Sequence, residues 1–299
     1  MSPESPAAPE APESAVSVRV LRDETIALLA RAGVPDAEVD AELLIGHVLD
    51  VGRGRVQALV VMDSTVGAAD AERLRALAAR RAAREPLQHI TGRAPFRSLE
   101  LNVGPGVFVP RPETEQVAQF AIDALRAVPS PSPVAVDLGT GSGAIALALA
   151  TEVPHARVYA VENSPEAYIW ARRNIDEVGA ENLTPVFIDL ADALPQLDGT
   201  VDVVISNPPY VPDDAIPRDP EVRLHDPHAA LYGGPDGLDV VRTISGVARR
   251  LLRPGGTLVL EHGELQGAAI RALLTADGWR AAATHRDLTT RDRATTALR

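Results

Sequence analysis

The 299-residue chain contains no cysteine and no lysine. Without cysteine there is no disulfide, no thiolate nucleophile, no cysteine zinc site and no iron–sulfur cluster. Without lysine there is no Schiff-base amine and no Walker-type phosphate loop. All 29 basic residues are arginine, aromatic residues make up 3%, and the net charge is −12. Such a chain is a poor non-specific binder of nucleic acid or of an anionic membrane. No apolar run reaches the roughly 20 residues of a membrane span. The amino-terminal segment lacks the basic-then-apolar order of a signal peptide. The seven histidines fall into no ligand spacing, so no metal site is expected. The hydrophobic share is 45%, enough for a sizeable core in one large or two ordinary domains. A soluble, cytoplasmic protein is the expectation.

Residues 1–15 carry Pro3, Pro6, Pro9 and Pro12 among Ala, Ser and Glu, the composition of an extended, disordered tail. Residues 16–85 repeat apolar positions at helical spacing, as in Leu21, Leu28, Leu29, Val39, Leu43, Leu44 and Val48. They predict a bundle of about four or five helices. Its arginine run (Arg73, Arg75, Arg80, Arg81, Arg84) reads as a solvated, internally paired helix face or as a partner surface. Residues 86–110 change character. Phe96–Val103 alternates like a strand, Gly104–Gly106 turns, and Val107–Val109 returns, which predicts a β-hairpin linker. From residue 111 onward a helix opening at Pro112 is followed by alternating elements. Strands are predicted at Val134–Leu138, Arg157–Glu162, Thr184–Ile188, Val201–Ser206, Thr257–His262, Arg280–His285 and Ala294–Leu298. Helices are predicted at Gly143–Glu152, Pro165–Val178, Leu238–Leu252 and Glu264–Asp277. The fold class is therefore α/β, a mostly parallel sheet with helices on both faces.

The first of these strands runs into Asp137, Gly139, Thr140, Gly141, Ser142, Gly143 and Ala144. Glycines there let the backbone approach a ligand and turn into the next helix. Glu162 ends the next strand, 23 residues after Gly139, and can accept hydroxyls of a ribose. NAD and S-adenosylmethionine both satisfy this pattern, as does a purely structural glycine turn. The fourth strand separates them. It runs into Asn207-Pro208-Pro209-Tyr210. Two prolines remove two N–H donors, so the strand end presents acceptors, the Asn207 side-chain oxygen and the Pro208 carbonyl, beside the flat wall of Tyr210. Two acceptors suit a planar NH2 group. A rigid turn is the competing reading.

With these motifs the chain resembles the class I S-adenosylmethionine-dependent methyltransferases that methylate planar nitrogens, and within them the bacterial release factor glutamine methyltransferases. Further matches are Val109–Glu115, Asp226–Leu231, Gly233–Leu238 and Glu261–Gln266. The resemblance implies a helical substrate-recognition domain (16–85), a hairpin linker (86–110) and a Rossmann-like methyltransferase domain with a seven-stranded sheet (111–299). His89 stands where the family has a tyrosine, Asp226 where it has a glutamate, and Thr290 where glycine is common.

The implied reaction is methylation of the glutamine side-chain amide in the Gly-Gly-Gln motif of class 1 peptide chain release factors, by a monomer that binds no nucleic acid. Asn207 and Pro208 are the implied catalytic residues. Pro209, Tyr210, Phe108 and Arg111 are implied to line the substrate site. Gly139–Gly143, Glu162, Asn207 and Thr114 are implied to hold the cofactor, with Asp189 or Asp192 taking the adenine amino group. An adenine-N6 DNA or RNA methyltransferase, with Tyr210 stacked on a flipped base, is the alternative. A NAD-dependent oxidoreductase and an inactive methyltransferase scaffold are more remote. Glu162→Ala should weaken cofactor binding measured by calorimetry; unchanged affinity would remove Glu162 from the ribose site.

Overall fold

A computed structural model of the chain describes residues 15–299. The tail expected over 1–15 lies outside the described residues, apart from Ala15. The chain divides after Thr91 into two compact units.

The first unit is built from five helices, α1 (Val18–Arg31), α2 (Ala37–Leu49), α3 (Arg53–Val61), α4 (Ala68–Ala82) and α5 (Leu87–Thr91). An antiparallel pair of two-residue strands, β1 (Val16–Ser17) and β2 (Thr65–Val66), joins its start to the α3–α4 connection. That pair is too short to give an alternation signal. Of the predicted apolar positions Leu21, Leu29, Leu44 and Val48 are buried, Leu28 and Val39 half-buried, and Leu43 exposed; Ile45, Val56 and Leu74 complete the core. The arginine run is largely consumed within the unit. Arg81 pairs with buried Asp40 at 2.7 Å, Arg75 with Glu24 and Arg80 with Glu85. Arg84 donates to the Gly33 carbonyl. Four of the five are thus engaged within the unit, but not by the i,i+4 pairing of a solvated helix face: three reach other segments of the unit, and Arg81 is buried.

The second unit begins with the hairpin of β3 (Arg93–Phe96) and β4 (Leu99–Asn102). Its turn is Arg97-Ser98, not Gly104–Gly106, and Val107–Val109 is not a strand. The register pairs Phe96 with Leu99, leaving a two-residue loop whose first residue, Arg97, has φ +54°. Glycine is usual at such a position. Here Arg97 is over-determined by its partners. Its N–H donates to Glu115 at 3.0 Å, and its guanidinium pairs with Glu152 and donates to Gln119 at 2.6 Å.

Then follow α6 (Pro112–Arg126), β5 (Val134–Leu138), α7 (Ala144–Glu152), β6 (Arg157–Glu162), α8 (Pro165–Val178), β7 (Leu183–Phe187) and β8 (Val201–Ser206). After them come α9 (Pro220–His225), α10 (His228–Leu231), α11 (Asp239–Leu251), β9 (Leu252–Glu261), α12 (Gly267–Ala276), β10 (Arg280–Arg286) and β11 (Asp292–Leu298). The seven strands lie in the order β10-β11-β9-β8-β5-β6-β7. β11 is antiparallel to both neighbours and the other pairings are parallel. Alternate strand residues feed two cores. Ala135, Val203, Ile205 and Val259 pack with α6 and α7 on one face. Val136, Val204, Leu258 and Leu260 pack with α11 and α12 on the other. The α/β class and the seven-stranded, mostly parallel sheet are as expected, and the predicted strand bounds hold to a few residues.

Helix α8 shows the local logic. Ser164 caps it by accepting the Ala167 N–H at 3.3 Å, Pro165 opens it, and Gly179 ends it at φ +70°. On its buried face Asn174, 1% exposed, accepts the Asn102 N–H at 2.7 Å and donates to the carbonyls of Asn102 and Ser142. One amide thus ties the hairpin to the glycine loop. Asn174→Ala leaves several buried groups unpaired and should cost about 2–3 kcal/mol in urea unfolding; a loss under about 0.5 kcal/mol would show that the amide is dispensable.

Candidate active site

The sheet changes direction of strand addition between β5 and β8. In an open α/β sheet the crevice beyond the carboxyl ends of strands at such a point receives ligands. Both motifs lie there. Ser206, the last residue of β8, donates to the Leu138 carbonyl at the end of β5 at 2.6 Å, which locks the two loops side by side.

The glycine loop is anchored from below. The N–H groups of Gly139 and Thr140 both donate to the Val161 carbonyl at 2.9 Å. Gly139 and Gly141 have φ of +74° and +58°, and an added Cβ at either would meet nothing within 4 Å. Their glycines are therefore required by backbone conformation, and above them is open space. Glu162, 8% exposed, accepts from the N–H of Gly141 (2.8 Å), Asn163 (3.0 Å) and Ser164 (2.9 Å). A carboxylate has about four acceptor directions, so one remains. Asp189 accepts from the Asn163 amide at 3.0 Å and caps its own turn through Ala191. It therefore stands beside the Glu162 corner. Asp192 is exposed and makes no such contact.

At the second motif, the Asn207 Nδ2 donates to the Thr114 hydroxyl at 3.4 Å. Its Oδ1 has no partner among the described residues. Thr114 is buried in the first turn of α6, and Glu261, the last residue of β9, is buried with its Oε2 lacking a hydrogen-bond partner. Tyr210 is half-buried beside Glu261, and desolvation pushes its phenol well above the usual range. Arg111 is not free to meet a ligand's charge. It forms a 2.6 Å ion pair with buried Asp226 and lies 4.9 Å over the Phe108 ring. Glu115 serves the hairpin turn through Arg97.

The family model described as the PrmC N-terminal domain matches residues 21–92, and that of the methyltransferase small domain matches residues 98–219. The chain is 52% identical to the release factor glutamine methyltransferase of Streptomyces coelicolor, over 90% of this chain and 93% of that protein. It is 47% identical to the enzyme of that name from Bifidobacterium longum, over 89% and 94%. The chain belongs to the release factor glutamine methyltransferase family. It is also 40% identical to a 4-amino-L-phenylalanine/4-methylamino-L-phenylalanine methyltransferase of Streptomyces pristinaespiralis, over 86% of both chains.

Within this family member the later motifs act as clamps on Asn207–Tyr210. The Gln266 amide donates to the Tyr210 carbonyl at 2.8 Å while its own oxygen accepts the Gly263 N–H. A Cβ on Gly237 would lie 2.2 Å from that same Tyr210 carbonyl. Val211 exchanges backbone bonds with Leu231 and Gly233. Two of the three departures also find accounts. Asp226 reaches Arg111 despite being the shorter acid. Thr290 adopts φ +67°, the conformation a glycine would take freely.

Sequence reading gave no role to Glu261, Gln266, Asn174 or Arg293. An acid closing the apolar run Val259-Leu260 was the available signal for Glu261.

Asp137 is fully buried at the end of β5 and pushed up to about 7 by desolvation, opposed by a 2.6 Å bond from Thr140. Because its folded value lies above its unfolded one, the native state retains the proton. Stability is therefore lost as pH rises from the ordinary aspartate range, about 4, to about 7. Asp137→Asn cannot ionise, so its melting temperature relative to wild type should climb across that window. A constant difference would contradict the assignment.

Proposed function

We propose that the chain transfers a methyl group from S-adenosylmethionine to the side-chain amide nitrogen of the glutamine in a release factor's Gly-Gly-Gln motif. The observation that carries this reading is the arrangement at Asn207. Its NH2 is turned to Thr114 and its oxygen is left without an internal partner, next to a Pro-Pro pair that offers carbonyl oxygen and no N–H.

An amide nitrogen is a poor nucleophile because its lone pair is delocalised into the carbonyl. Asn207 Oδ1 and the Pro208 carbonyl each accept one of its hydrogens. Held this way, the nitrogen presents its lone pair along the direction of attack and is drawn towards tetrahedral geometry. Pro209 stiffens the turn and Tyr210 and Phe108 flank the amide. Arg111, held by Asp226, stacks on Phe108 and keeps that wall in place. The gain is orientation and preorganised acceptors, with no strong base required. When bound, S-adenosylmethionine supplies an electrophilic methyl on a positively charged sulfur.

The open space above Gly139 and Gly141 fits that cofactor. Thr140, Ser142 and Gly143 complete the loop around it. Glu162 takes a ribose hydroxyl on its remaining lone pair, and Asp189 is preferred to Asp192 for the adenine amino group because it adjoins the Glu162 corner. The helical unit recognises the release factor.

The acceptor pair itself holds any planar NH2, which is consistent with an arylamine methyltransferase among the relatives. The test therefore has several arms. With labelled S-adenosylmethionine, the expected result is label on purified release factor, lost when the Gly-Gly-Gln glutamine becomes alanine. Label on DNA or 4-aminophenylalanine alone, with none on release factor, would replace this reading.

A further inference from the structure

His262 follows the last residue of β9 and is fully buried, as is Thr295 on β11. Both ring nitrogens are used. Nδ1 lies 2.9 Å from the Gly263 carbonyl oxygen, and Nε2 lies 2.9 Å from the Thr295 hydroxyl. That hydroxyl is in turn 3.1 Å from the hydroxyl of Thr284 on β10, which accepts from the Arg271 guanidinium on α12. The two ends of this chain fix every hydrogen in it, because a guanidinium can only donate and a carbonyl can only accept. The Gly263 carbonyl needs a donor, so Nδ1 carries the ring proton. A fully buried ring among neutral partners stays uncharged, so Nε2 is an acceptor. Thr295 gives its hydrogen to Nε2, and Thr284 gives its own to Thr295.

Gly263 passes the constraint on. Its N–H donates to Gln266 Oε1 at 2.9 Å, and a Cβ on Gly263 would lie 3.0 Å from that same oxygen and 3.7 Å from the Tyr210 ring. With its oxygen occupied, the Gln266 amide has its NH2 to turn outward. That NH2 meets two carbonyl oxygens, of Tyr210 at 2.8 Å and of Asp236 at 3.4 Å. The amide orientation of Gln266 is therefore set by Gly263, as the proton on His262 is.

We propose that His262 is a positioning residue for methyl transfer. In its Nδ1–H form it holds the Gly263 turn that orients Gln266, and Gln266 holds the Tyr210 carbonyl at the exit of the Asn207–Tyr210 turn. Pro209 is the stiff link between Tyr210 and the Pro208 carbonyl, so a shift at Tyr210 is carried to the acceptor pair. A ring with its proton on Nε2 would face the Gly263 carbonyl with a lone pair. Two acceptors would then oppose each other, and the turn would open.

The inference rests on the proposed roles of Asn207 and Pro208, but its first test needs neither cofactor nor substrate. In full-length protein labelled with 15N-histidine, the His262 ring nitrogens are assigned by their absence in His262→Asn. The expected pattern at neutral pH is a protonated Nδ1 and an unprotonated Nε2. The reverse pattern, or a doubly protonated ring, would overturn the proposal. Methyl transfer to release factor gives the second test. An asparagine amide N–H falls near the place of Nδ1 and a glutamine N–H near that of Nε2, so the two variants separate the nitrogens. His262→Gln should lose about tenfold in kcat at unchanged cofactor affinity, and His262→Asn should keep most of the rate; equal losses in the two would overturn it. The route is tested in Gln266→Ala, where adding His262→Gln should lower kcat by less than about twofold further. Fully additive losses are the signature of packing alone and would also overturn it. Absence of turnover in the wild type would count against the proposed reaction, and the ring's protonation pattern would still decide the hydrogen-bond chain.

Discussion

The hydrogen bond from Asn207 Nδ2 to Thr114 is the interaction on which the proposed chemistry depends. It is long, at 3.4 Å, and worth little as stabilisation. Its importance is directional, because it leaves the Asn207 oxygen outward. The neighbouring Pro-Pro pair makes the same choice in covalent form, since a proline has no N–H to present. Acceptors without donors make a site selective for NH2 over carbonyl groups before any shape is considered.

Much of the remaining second unit can be understood as holding that corner still. Ser206 ties β8 to the end of β5, Gln266 and Gly237 close on the Tyr210 carbonyl, and the Val211 bonds to Leu231 and Gly233 fix the exit of the motif. Asn174 performs the corresponding service for the glycine loop, joining it to the hairpin from inside α8. Segments far apart in the chain, at 109–115, 226–238 and 261–266, therefore converge on four residues at one strand end. Charge is spent internally too. Arg97, Arg111 and Arg293 each face buried or half-buried acids, which leaves the absence of lysine without consequence for the proposed reaction.

The strand ends and the two motifs were legible in the sequence because central parallel strands are continuous apolar runs. Val134–Leu138 and Val201–Ser206 are buried at every position, and glycine or proline punctuates each end. The hairpin turn was not legible. Arg97 holds a glycine-like conformation only because Glu115 and Glu152, 18 and 55 residues away, bind it, and no local pattern reports partners at that range. Glu261 was visible as a motif residue, but its burial with an unpartnered Oε2 was not, since that depends on how the end of β9 packs in the fold. Arg111 was singled out by its motif, while its pairing with Asp226 depends on a loop more than a hundred residues later.

A site that works by presenting neutral acceptors should separate binding from chemistry cleanly. The most direct measurement is methyl transfer to release factor by Asn207→Ala, made alongside calorimetric binding of S-adenosylmethionine. Turnover should fall by about 100-fold or more, while cofactor affinity, to which Asn207 is one of several contributors, falls by less than about tenfold. Near-normal turnover in that variant would contradict the role given to the Asn207 oxygen, and with it the central claim about how this site activates an amide.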